Sequence, residues 1–88
     1  MTLSTQQSLE IALSAAKTGQ WDEAHAIVSK IKHPVAYEIH AYLHRKAGDT
    51  DNAIYWYRRA GIHPYSGSFI EEYFDLEKTL QQLKQDNS

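Results

Sequence analysis

The sequence predicts an all-α protein of five helices, and three observations carry that reading. Apolar residues recur at spacings of three and four along most of the chain. Glycine or proline punctuates it at Gly19, Pro34, Gly48 and Gly61. No run alternates apolar and polar residues with period two over the length of a strand. The 88 residues are expected to form one domain, 1–88, since two cores would leave each half near the ~40-residue size at which chains need a metal or disulfide to fold.

Each element follows from local chemistry. Leu9, Ala12, Leu13 and Ala16 share one face of a helix over about 5–18, which Ser4 and Gln7 open as a capping box and Gly19 closes. A second helix, roughly 20–32, turns Trp21, Ala24, Ile27, Val28 and Ile31 inward and places Asp22 and Glu23 against its positive N-terminal end. Pro34 suits the first position of a third helix, where the missing N–H costs nothing. That helix reaches about Ala47 and buries Ala36, Ile39, Leu43 and Ala47, with His40 and His44 beside the stripe on the Tyr37 side. Asp49 caps a fourth helix, about 50–60, which buries Ala53, Trp56, Tyr57 and Ala60 and stops at Gly61. The segment 61–67 is a loop. A second capping box, Ser68 with Glu71, opens a closing helix over 68–84, whose seam is Phe69, Tyr73, Leu76, Leu80 and Leu83. Residues 85–88 are expected to fray.

Aligning the two turns superposes Gly19 on Gly48, Ala24 on Ala53, Val28 on Tyr57 and Ile31 on Ala60, an offset of 29 residues. The chain thus reads as a helix–turn–helix unit over 5–32, another over 34–60, and a capping helix. The stretch Pro34–Ala60 resembles a tetratricopeptide repeat, with Tyr37 at its first aromatic position, Ala41 at its small residue, Gly48 and Asp49 at its turn, and Ala53, Tyr57 and Ala60 on its second helix. The first unit keeps Gly19, Ala24 and the apolar pattern. The chain departs from the family in a short link between Ile31 and Pro34, and in His40 and His44, which replace packing residues. The run His40–Gly61 also resembles short bacterial proteins without an assigned function, a likeness that adds no activity. The repeat resemblance implies a concave surface that binds a protein or peptide, lined by Leu9, Leu13, Lys17, Glu38, Tyr42, Arg45 and Lys46. The lysine and asparagine pattern with which some members of that family grip a terminal carboxylate is absent.

Other chemistries are narrowed by composition. The absence of cysteine removes disulfides, thiolate metal sites and cysteine nucleophiles, and agrees with a cytoplasmic location. A net charge of −2 offers no general attraction for nucleic acid or anionic membranes, and no signal peptide or membrane-spanning stretch is expected. Tyr55, Arg58 and Arg59 form a basic aromatic patch, but Trp56 and Tyr57 point to the core, so no nucleic-acid partner is expected. No phosphate loop or nucleophile elbow occurs, and Glu71, Glu72 and Asp75 read as a solvated face, so no enzymatic activity and no cofactor are expected.

Two alternatives to protein docking remain. His40 and His44, four apart, share a helical face at a spacing that suits a ligand or metal site with Tyr37, for which His25, His63 or Asp49 would be the third metal ligand. Packing histidines are the competing reading. Ile70 and Phe74 lie off the closing helix's seam: either that helix folds back and buries both, or they mark a homodimer or partner contact.

Overall fold

The protein, seen in a computed structural model, is described over residues 2–86. Its helices are α1 (Thr5–Lys17), α2 (Trp21–Ser29), α3 (Pro34–Lys46), α4 (Thr50–Ala60) and α5 (Phe69–Asp86), with no strand among the described residues. The class is all-α, as the periodicity predicts.

Both capping boxes form. The Ser4 hydroxyl accepts from the Gln7 N–H while the Gln7 side chain accepts from the Ser4 N–H, and Ser68 and Glu71 repeat the exchange at α5. Gly48 reverses the chain after α3 at a φ of +80°, in the left-handed region. A Cβ built there would meet nothing within 4 Å. Gly48→Ala should therefore cost only backbone strain, about 1–2 kcal/mol, read as a lower urea midpoint; an unchanged midpoint would mean that the turn does not hold the hairpin.

Three boundaries differ from expectation. Helix α2 stops at Ser29, short of residue 32: the Lys30 and Ile31 N–H groups reach back three residues, to the Ile27 and Val28 carbonyls. His33 is then extended (φ −152°, ψ 141°), because the Pro34 ring excludes the helical conformation from the residue before it. Its imidazole Nδ1 caps α3 by accepting from the Val35 N–H at 3.1 Å. Ala47, expected on the buried stripe of α3, is instead its exposed C-terminal cap. At the far end α5 continues through Gln85 and Asp86, which were expected to fray; residues 87–88 of that expected tail lie outside the described residues.

Helix α1 packs on α2, α2 on α3 and α3 on α4, while α5 lies back across α1 and α3. Small residues permit the close approach: Ala12, Ala24 and Ala36 are wholly buried, around the larger Leu9, Val28, Ile39 and Leu43. Leu76 and Leu80 of α5 close this core. Ala41, Ala53 and Tyr57 make a smaller cluster between α3 and α4, against which Trp56 and Tyr65 pack.

The buried stripe of α5 begins elsewhere than expected. Phe69 is exposed and Glu72, assigned to a solvated face, is only 3% exposed. The stripe runs Glu72, Leu76 and Leu80 at spacings of four, with Tyr73 and Leu83 partly buried against the same core. Its leading carboxylate is accommodated because it accepts hydrogen bonds from Arg45 Nη1 at 2.9 Å and from the Tyr57 hydroxyl. Arg45 also donates to the Gly67 carbonyl, and its guanidinium lies 4.6 Å from the Phe69 ring centre. Burial raises the Glu72 carboxyl, and the hydrogen bonds from Tyr57 and Arg45 oppose that rise.

Candidate functional site

Two places concentrate the sequence-predicted residues. The first is the face lined by α1 and α3, expected to be an open concave surface. Helix α5 covers it. Leu9 is wholly buried, and Leu13 and Tyr42 are each 3% exposed. Arg45 is engaged by Glu72, and Glu38 is half-buried, its carboxyl raised by desolvation and by the nearby Glu72. These positions are interior contacts of α5, so the expectation of a bare concave surface is corrected. Lys17 and Lys46 remain exposed.

Those two lysines instead border a groove of about 250 Å³ at the N-terminal half of α5, floored by Tyr42, Phe69, Ile70, Tyr73 and Phe74. The Lys46 ammonium lies 5.6 Å from the Tyr42 ring centre and that of Lys17 5.7 Å from Tyr73. Ile70 is 69% exposed and Phe74 55%, so α5 folds back without burying either. Its lining contains no carboxylate. A larger groove of about 390 Å³ between α1 and α5 is polar, with Glu10 and Glu77 set among Lys17 and Lys84.

The second place is an imidazole cluster. Helix α3 supplies His40, which is buried, and His44, one turn on; α2 contributes His25 from across the interface. One ligand nitrogen from each of the three lies within 4.8 Å of the others, and His40 Nε2 is 3.1 Å from His25 Nε2. Two indoles hold the rings. Trp56 stacks on His40 at 3.9 Å between centroids, and Trp21 stacks on His25 at 4.7 Å. Trp21 is itself fixed by donating from Nε1 to the Leu43 carbonyl at 2.7 Å. Desolvation, then the neighbouring His25 and His44, pushes His40 down to about 4. His44 is lowered by burial and by His25, against the opposing pull of Asp49, whose Oδ2 lies 3.8 Å from His44 Nδ1.

Of the nominal third ligands, His25 joins the cluster and Asp49 stands behind His44, whereas the exposed His63 takes no part in it. Tyr37 is one ring further out: it packs on Trp56 at 5.6 Å and receives the Arg59 guanidinium at 4.9 Å. Arg59 also donates to the Tyr55 hydroxyl at 3.3 Å, so two of the three residues of the basic aromatic patch are paired with each other. The residue that spacing alone undervalues is His25. Its signal is Trp21 four residues earlier, an i, i+4 pair that stacks on one helical face.

Compared with protein-family models, curated proteins and solved structures, the chain matches none. Among the described residues no helix is long and apolar enough to cross a membrane.

Proposed function

We propose that the protein is a small, non-catalytic docking module, tetratricopeptide-like in its helical hairpins and cytoplasmic, that binds a segment of another protein. The observation that supports this reading is the groove on α5: a contiguous apolar floor, left open by the fold, between two lysines. Isolated exposed apolar residues need no explanation, but a joined group rimmed by cations fits recognition. The docking surface is thereby moved from the α1/α3 face, which α5 occupies, to the outer edge of α5 itself.

Charge complementarity specifies the occupant. Lys17 and Lys46 without a lining carboxylate suit an amphipathic helix with apolar residues at i and i+3 or i+4, flanked by Asp or Glu. Peptide display on the immobilised protein, counter-selected against Phe74→Glu, should enrich that pattern. Selected peptides should lose at least about tenfold affinity for Phe74→Glu, the scale of a central apolar anchor. Enrichment of basic sequences, or of none, would overturn the assignment. A concentration-dependent dimer in sedimentation that Phe74→Glu abolishes would give the groove to a second copy instead.

A further inference from the structure

We propose that His25, His40 and His44 bind one divalent transition-metal ion of the zinc type, with Asp49 as the carboxylate that orients His44. This goes beyond the docking reading and uses a different face of the molecule.

The ring geometry carries the assignment. At a Zn–N distance of about 2.0–2.1 Å, two tetrahedral imidazole nitrogens lie about 3.3 Å apart and their ring centres about 5.2 Å apart. The three pairs of ring centres here are 4.7 Å (His25–His40), 5.1 Å (His40–His44) and 5.2 Å (His25–His44). His25 Nε2 and His40 Nε2 already stand at 3.1 Å, and the three donor nitrogens fall within 4.8 Å of one another. His25 meets both other rings edge-on at 86°, whereas His40 and His44 lie nearly parallel at 17°, so closing on one ion requires His44 to turn about its side-chain bonds.

The surroundings do what ligand-supporting groups must do. The indoles of Trp21 and Trp56 fix the planes of His25 and His40 by stacking. His40 Nδ1 is buried without a hydrogen-bond partner, so the ring is aimed by the indole stacked on it and by its Nε2 contact with His25 Nε2. Asp49 Oδ2 faces Nδ1 of His44 at 3.8 Å, which leaves Nε2 for the ion; closing that gap to hydrogen-bond distance would complete a carboxylate–histidine–metal arrangement. Asp49 is itself positioned by Asn52, whose Nδ2 donates to Oδ2 at 2.6 Å.

The donor set selects the ion. Three imidazole nitrogens suit Zn²⁺, Ni²⁺ or Cu²⁺ and not the oxygen-seeking Ca²⁺ or Mg²⁺. Three protein ligands leave the fourth tetrahedral position to water or an external donor.

The test is calorimetric titration of the full chain with ZnCl₂ at neutral pH, repeated with MgCl₂. One equivalent of Zn²⁺ should bind saturably and Mg²⁺ should not. Affinity should fall at least about tenfold in His25→Gln and in Asp49→Asn, a range typical of lost ligand support, and stay unchanged in His33→Gln and His63→Gln. X-ray absorption of the zinc-loaded wild-type protein, which needs no variant to fold, should show three imidazoles at one ion. Absence of saturable 1:1 binding, indifference to His25→Gln, or fewer than three imidazoles would overturn the assignment.

Discussion

Arg45→Met is expected to destabilise the protein by about 3 kcal/mol or more, the scale of removing one partner from a buried ion pair. For a domain whose total stability lies in the range of about 5–15 kcal/mol, that loss brings the variant close to unfolding at physiological temperature. The cause is Glu72, whose side chain is 4% exposed while that of Arg45 is 22%. Without the guanidinium the carboxylate keeps only the Tyr57 hydroxyl as a donor, with the Glu38 carboxyl nearby. It would then be held as the neutral acid, at the expense of its ionised form. Arg45 further ties α3 to the Gly67 carbonyl, immediately ahead of α5, so its removal loosens the entry of that helix as well. The double variant Arg45→Met/Glu72→Leu should regain most of the loss, because it leaves no charge behind. Urea denaturation of the three proteins decides: a single-variant cost below about 1 kcal/mol would place the pair among ordinary surface salt bridges.

Saturating zinc should raise the thermal midpoint by about 10–20 °C. An ion at a hundred times its dissociation constant stabilises the folded state by about 2.7 kcal/mol, and each kcal/mol is worth about 4–8 °C for a domain of this size. The ion would join α2 to α3, adding a cross-link where His25 meets His40 across that interface. Chelator should return the midpoint to its starting value, and His25→Gln should show no zinc-dependent rise. A wild-type midpoint that ignores zinc would count against the three-histidine site.

Much of the fold is legible because local rules act on adjacent residues. Ser4 with Gln7 and Ser68 with Glu71 are read from four letters each, and both capping boxes form. Gly48 marks its turn because only glycine enters that backbone region without strain. Rotation of α5 is harder to read. Apolar letters alone place Phe69 at the head of its buried seam, yet Glu72 takes that role through donors that lie 27 and 15 residues earlier in the chain. A carboxylate is solvated by default, and only the meeting of Arg45 with Tyr57 makes its burial tolerable. The same long-range event covers the α1/α3 face, so Leu13 and Tyr42 turn from expected groove residues into core.

The histidines divide along the same line. His40 and His44 are paired by helix pitch, a local property, whereas His25 reaches them through packing of α2 on α3. Nothing in the letters around residue 25 names that partner. Periodicity makes Trp21 and Trp56 core residues; in the fold both are partly buried and their rings stack on imidazoles.

That placement makes the molecule optically lopsided. The chain's two tryptophans, Trp21 and Trp56, both stack on histidines at the meeting of α2, α3 and α4, and neither belongs to α5. Indole emission therefore watches one corner, while circular dichroism weighs every helix. Were α5 to peel away first, ellipticity would drop before the fluorescence moved, and the gap between the two curves would time its release.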